Sequence, residues 1–194
     1  MTQGIRIPTA EELDSRIARF DRLQPMSTAK ELEWTGQDAI DIIFARKLMP
    51  VILEDRKNPF GNVAPVFGAG GITMFISVLP PGQGPCLHSH NDTFETFMVL
   101  EGTIEYEIGE PVTHRRTLGK WDVLSVPPRI YRGFRNVGTS DAVQLTVISG
   151  LNESRDDVSM PHSIAERVER EHGRPVLEAF AKVFKFDPKR EPAG

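Results

Sequence analysis

His88 and His90 stand one residue apart, and a strand carries such a pair on one face because its side chains alternate with period two. Glu95 follows after Asn91-Asp92-Thr93-Phe94 and opens the apolar run Thr96-Phe97-Met98-Val99-Leu100. A short connection into a new strand can bring that carboxylate back opposite the two imidazoles. Two histidines and one carboxylate are the set that non-haem Fe(II) sites use, with coordination positions left open. Neutral imidazoles also bind Mn(II), Ni(II), Cu(II) or Zn(II), and the donor types alone do not choose among these ions.

The full stretch reads Gly82-x5-His88-x-His90-x4-Glu95-x6-Gly102. In these spacings the chain resembles the cupin superfamily from about residue 71 to 150, since every specified position of its first motif, G-x5-H-x-H-x3-4-E-x6-G, is met. The resemblance implies an all-β core, a jelly-roll β-barrel, with His88, His90 and Glu95 as metal ligands. The second family motif, G-x5-P-x-G-x2-H-x3-N, supplies a fourth ligand. Its counterpart is Trp121-x5-Pro127-x-Arg129-x2-Arg132-x3-Asn136. Pro127 and Asn136 agree, Trp121 and Arg129 replace the glycines (Gly119 lies two residues early), and Arg132 stands in place of the histidine.

Arg132 therefore decides the chemistry. A guanidinium stays protonated and offers no lone pair, so it does not replace a histidine ligand. Alternation puts Arg132, Phe134 and Asn136 on one face, which points into the barrel if the family register holds. A fixed positive charge ~5 Å from a divalent ion costs about 6–7 kcal/mol at an effective dielectric of ~20, before Glu95 and a bound anion offset it. Two outcomes follow. Either the metal is kept by three ligands and Arg132 acts as a catalytic residue that holds an anionic substrate beside it. Or Arg132 pairs with Glu95, takes the metal's place and leaves a metal-free pocket.

The first outcome is the expectation adopted: a metal-dependent enzyme, an Fe(II) dioxygenase-like oxidoreductase, acting on a small anionic organic substrate. Fe(II) is favoured, with Mn, Ni and Zn as alternatives. The rival readings are a metal-free cupin that binds a small molecule without catalysis, and a metal-independent isomerase or epimerase. No clear His-Asp or Tyr acid/base pair supports the last of these.

Composition bounds the rest. The chain has 194 residues, 39% apolar and 26% charged, which fits one domain with extensions. A net charge of −4 leaves no footprint for nucleic acid or an anionic membrane surface. The single cysteine, Cys86, excludes an internal disulfide and fits a reducing compartment. It shares the alternation of the two histidines and reads as a small core thiol. The first residues lack the apolar core of a signal peptide, and no segment is long enough to span a bilayer, so a cytoplasmic location is expected. A two-barrel form is excluded by length, and the family resemblance implies a homodimer.

Three regions position the site: a helical N-terminal arm over 1–60, the β-barrel over 61–150, and a helical C-terminal extension over 151–194. In the arm, Thr9-Ala-Glu-Glu12 reads as a capping box before a helix with Leu13, Ile17 and Phe20 on one face. A second helix is expected to carry Ile40, Ile43, Phe44, Leu48 and Val51, with Pro50 at its edge. The Asn58-Pro59, Gly61-Asn62 and Gly68-Ala69-Gly70-Gly71 steps mark loop around a short strand near 63–67. Eight strands are expected at 71–79, 86–90, 94–100, 103–109, 112–118, 122–126, 130–136 and 142–149, with hairpin turns at Gly109-Glu110 and at 138–141. Beyond a polar stretch at 152–159, one helix carries Ile164 and Val168, Gly173 ends it, and a second begins at Pro175 with Val176, Phe180, Val183 and Phe184. His114, His162 and His172 read as surface or structural residues. Phe97, Tyr106 and Trp121 read as aromatic packing.

Overall fold

The computed structural model describes residues 7–54, 63–150 and 158–189. The eight expected strands are all present, as β3 (Ile72–Leu79), β4 (Ser89–His90), β5 (Phe94–Glu101), β6 (Ile104–Ile108), β7 (His114–Leu118), β8 (Val123–Val126), β9 (Arg132–Asn136) and β10 (Ala142–Ser149). They are joined by β1 (Lys47–Leu53), β2 (Val66–Phe67), β11 (Val158–Met160) and β12 (Lys185–Phe186). Sheet order is β2-β1-β3-β10-β5-β8 in the largest sheet, β7-β6-β9 in a second and β12-β11-β4 in a third. The arrangement is a jelly roll whose sheets are not closed into one hydrogen-bonded barrel. Residues 138–141 join strands of different sheets, so the expected hairpin there is a crossing between layers.

The inward faces follow the alternation. Phe97 and Val99 of β5, Ile104 and Tyr106 of β6, Phe134 of β9 and Ala142 of β10 form one buried cluster with Leu79 of β3. Its centre is a trio of rings, Phe97, Tyr106 and Phe134, with centroids 5.2–5.7 Å apart. Offset and edge-to-face ring contacts of this kind are the favoured arrangements for buried aromatic pairs.

The flanks differ from the periodicity in informative ways. The capping box at Thr9 and Glu12 forms, but α1 (Ala10–Asp14) is a single short turn. Its expected apolar face stays outside, with Leu13 54%, Ile17 39% and Phe20 59% exposed. Likewise α2 (Gln37–Ile43) ends where Phe44 turns extended, so Leu48 and Val51 belong to a strand. Pro50 is accommodated in β1 because the register with β3 shifts between Pro50 and Ile52, a bulge where a missing N–H is tolerated. Met49 and Val51 then share a face of the large sheet with Met74, Ile76 and Val78, and Leu23 packs on it.

The C-terminal extension matches more closely. α3 (His162–His172) buries Ile164, Ala165 and Val168, and Gly173 ends it with φ 86°. α4 (Arg174–Phe180) buries Val176 and Phe180 but stops before Val183, which is 38% exposed. These helices cover Leu32, Ile42, Ile43, Cys86, Leu87 and Tyr131. Cys86 thus packs beneath the helices, and burial pushes its thiol pKa up to about 12. The Asn58-Pro59 and Gly61-Asn62 steps, and most of the polar stretch at 152–159, lie outside the described residues. Among the described residues no helix is long and apolar enough to cross a membrane.

Two glycines let the segment before β4 lie directly against β9. A Cβ on Gly84 would sit 2.0 Å from the Phe134 carbonyl oxygen, and one on Gly133 would sit 3.0 Å from the Cys86 backbone. Opposite in kind is Trp121, which is 64% exposed rather than packed and holds a left-handed φ of 72°. Chemical denaturation is expected to show Gly84→Ala less stable by about 1–3 kcal/mol, because backbone must move to admit the methyl. Trp121→Gly is expected to be more stable by about 1 kcal/mol, through relief of the left-handed backbone.

Candidate metal centre

Each candidate ligand is placed by a different strand contact. His88 forms a bridge with Arg132, its N–H donating to the Arg132 carbonyl at 2.9 Å and its carbonyl accepting from the Arg132 N–H at 2.8 Å. Directly opposed residues of an antiparallel pair point to the same face, so the Arg132 side chain lies beside the His88 imidazole. His90 is held on its other side by β11, through pairing with Val158. Glu95 enters from β5, paired with Val126 of β8 and Ile148 of β10.

Three side chains, those of His88, His90 and Arg132, converge on one atom, Oε2 of Glu95. His88 Nε2 lies 3.3 Å from it, His90 Nε2 3.6 Å, and Arg132 Nε donates to it at 2.9 Å. Arg132 is fully buried, and its Nη1 donates to the Ile130 carbonyl at 2.9 Å. Side-chain exposure is 12% at His88 against 5% at His90 and 7% at Glu95, so access runs over His88. Burial pushes the Glu95 carboxyl up, but the charges of His90, His88 and Arg132 outweigh it and hold the group well below the usual carboxylate range.

The imidazoles are oriented from behind. His88 Nδ1 is 2.9 Å from the Cys86 carbonyl oxygen, which only accepts, so Nδ1 carries the proton. His90 Nδ1 meets Thr93 Oγ1 at 3.1 Å. Backing of this kind turns both Nε2 atoms toward Glu95 and raises their basicity. Thr93 was absent from the sequence-derived set, although it sits inside the gap between His90 and Glu95.

The residues fit a divalent transition ion. His88, His90 and Glu95 each offer a donor atom, all within 4.8 Å of one another. An ion ~2.1 Å from two donors holds them roughly 3.0–3.4 Å apart at octahedral or tetrahedral angles, close to the separations from Oε2. Arg132 supplies no ligand and contributes the opposite charge effect. It does touch Glu95, its Nε donating to Oε2. Two surface cavities, of about 520 Å³ at the N-terminal arm and about 200 Å³ at the C-terminal arm, include none of these four residues.

Further polar groups line the interior. Tyr106 Oη donates to Gln144 Oε1 at 2.5 Å, and Gln144 Nε2 donates to Thr146 Oγ1 at 3.2 Å. Burial, then the Glu95 charge, pushes the Tyr106 phenol up, so it stays protonated. Arg129 has a left-handed backbone, with φ 64°, as Trp121 does. Its N–H donates to the His90 carbonyl at 2.7 Å, and its Nε to the Asn91 carbonyl at 3.3 Å.

Residues 75–148 match the family model described as Cupin domain. No curated protein matches the chain. Among solved structures, a DMSP lyase, DddQ, from Ruegeria pomeroyi is 21% identical over 68% of this chain and 58% of its own, with a TM-score of 0.50. A protein with a double-stranded β-helix domain from Klebsiella pneumoniae is 22% identical over 44% of this chain and 73% of its own, at a TM-score of 0.41. A predicted oxalate decarboxylase from Thermotoga maritima is 25% identical over 41% and 66%, at 0.38. The chain spans less than two thirds of the lyase and of the decarboxylase. At these identities the likeness is one of fold.

Removing the Glu95 charge should leave Arg132 buried without its carboxylate. Glu95→Gln is expected to lower unfolding stability by about 3–5 kcal/mol, and the added change Arg132→Met to restore part of it. Because the folded-state pKa is lowered, the Glu95 contribution is fully present above the ordinary carboxylate range. It is lost only as pH falls through the depressed value, which denaturation at stepped pH would read.

Proposed function

We propose that this chain, which carries a cupin domain over residues 75–148, is a metal-dependent enzyme acting on a small anionic organic molecule. The reaction class we assign is that of an Fe(II) dioxygenase-like oxidoreductase. One observation carries the metal reading. Both imidazole Nε2 atoms face Glu95 Oε2 in a nearly dry site, at 3.3 and 3.6 Å, close to the separations that one divalent ion holds between its donors. A divalent ion there would take a lone pair from each of the three side chains together.

His88, His90 and Glu95 would hold the ion. Bound there, it supplies Lewis acidity and, as Fe(II), redox capacity, with positions left open by a three-residue set. Arg132 lies beside His88 and fixes a positive charge next to the site, which orients an anionic group and stabilises negative charge that develops on it. Metal, Glu95 and Arg132 sum to about +2, so the site selects anions. Among the four side chains His88 is the most exposed, so substrate would approach over His88.

The hydrogen bond from Arg132 Nε to Glu95 Oε2 favours a second reading, a metal-free cupin that binds a small molecule or works as a metal-independent isomerase. Elemental analysis of untagged protein, before and after anaerobic Fe(II) reconstitution, separates the two. Near-stoichiometric metal, lost in His88→Ala, is the expected result, together with O2 uptake driven by anionic aromatic or dicarbonyl compounds. Protein that stays metal-free after reconstitution, or that works unchanged in excess chelator, would establish the second reading.

A further inference from the structure

We infer that Asp187, in the C-terminal extension, is a positioning residue for the metal centre and sets the imidazoles of His88 and His90 through a line of hydroxyl groups. The inference rests on the metal reading above and concerns groups behind the histidine strand. Ser89 stands between the two histidines, so its side chain points away from theirs. Its Oγ meets Ser159 Oγ of β11 at 3.1 Å, and both serines are buried. Ser159 Oγ in turn donates to Asp187 Oδ2 at 3.0 Å. A hydroxyl has one proton to give. With the Ser159 proton committed to the carboxylate, Ser89 is the donor in the contact between the two serines. Tyr131, also buried, donates its hydroxyl to the same Oδ2.

Both lines of hydrogen bonds reach segments that build the site. Tyr131 immediately precedes Arg132, whose backbone bridges His88, and Ser89 is flanked by the two histidines. One carboxylate therefore ties β4 and the entry of β9 together behind the donor atoms. β4 has only two residues, paired with β11 through Ser89 with Ser159 and His90 with Val158, so few backbone bonds fix its depth. Withdrawing Ser89 tilts both neighbouring imidazoles, and with them both Nε2 atoms, relative to Glu95 Oε2. A site loses its geometry when the groups behind it let donors drift by about 0.5 Å. Asp187 itself is anchored elsewhere. Its backbone N–H donates to the Met160 carbonyl at 2.8 Å, beside the parallel pairing of Met160 with Phe186. The carboxylate is thus held by β11 and β12 while it steadies the histidines.

Titration of the intact chain with Co(II), read by visible absorption and by calorimetry, tests this without a substrate. Asp187→Ala is expected to weaken Co(II) binding about tenfold and to alter its absorption bands, as loss of a group behind a metal ligand does. Asp187→Asn, whose amide oxygen still accepts both hydroxyl protons, is expected to bind Co(II) as wild type does. Ser159→Ala cuts the line to Ser89 while leaving Tyr131 bound, and is expected to weaken binding too, which keeps the test open if Asp187→Ala fails to fold. Val176→Ala loosens the same extension from a buried apolar position and leaves the hydroxyl line in place, so Co(II) binding is expected to be unchanged. Wild-type affinity and absorption in both Asp187→Ala and Ser159→Ala would overturn the positioning role while leaving the metal centre standing. So would Val176→Ala that weakens binding as much as Asp187→Ala. Wild type that binds no Co(II) would remove the metal reading itself.

Discussion

A single buried carboxylate oxygen, Oε2 of Glu95, receives Arg132 Nε at 2.9 Å and faces two imidazole nitrogens within 3.6 Å. A carboxylate moved out of water carries a penalty of several kcal/mol unless cations meet it with good geometry. Here the penalty is met from three elements at once. β9 delivers the guanidinium, the segment entering β4 delivers the histidines, and β5 delivers the carboxylate itself. Any displacement of one element leaves charge uncompensated on the others, so the site and the packing of these strands are one problem. The close approach at Gly84 and Gly133, which seats the histidine segment on β9, belongs to the same problem.

The helical arms serve that geometry. β11 pairs with β4, and Ser89, on the face opposite to the imidazoles, meets Ser159 at 3.1 Å. Ser159 donates to Asp187 Oδ2 at 3.0 Å, and Tyr131 donates to the same carboxylate. The C-terminal extension therefore braces the short histidine strand, which has only two residues and no large ladder of its own. From the other flank, the Ile42 carbonyl at the end of α2 accepts the Cys86 N–H at 2.8 Å. The Cys86 carbonyl in turn sets the tautomer of His88. Packing of both arms over Cys86, Leu87 and Tyr131 thus reaches the imidazole through one residue.

Arg132 changes what this scaffold can do. A histidine there would add a fourth donor and favour a closed metal site. A guanidinium leaves coordination open, adds charge, and makes Glu95 answer to two cations. The turns on either side of β8 hold Trp121 and Arg129 at left-handed φ values of 72° and 64°, at a cost of roughly 1–2 kcal/mol each.

Legibility in the sequence followed the range of the interactions concerned. Period-two alternation located all eight central strands and put His88 with His90, and Arg132 with Asn136, on shared faces, since alternation depends only on local pleat. Motif spacing singled out His88, His90 and Glu95, which the fold brings together, and the caps at Thr9, Gly173 and Pro175 were readable because capping involves neighbours within a turn. What was not legible depended on contacts across the chain. Leu48 and Val51 share a helical spacing with Ile40 and Ile43, but pairing with β3 draws them into a strand. The apolar stripe Leu13, Ile17 and Phe20 finds no covering surface among the described residues. Whether Arg132 touches Glu95 depends on the bridge between His88 and Arg132, 44 positions apart by the sequence numbering. Residue types by themselves determined that the chain carries two imidazoles, a carboxylate and a guanidinium with chemistry to share. Only the tertiary structure decided that the three basic groups would meet one carboxylate oxygen, because a buried charge takes its partners from whatever strands the fold brings beside it.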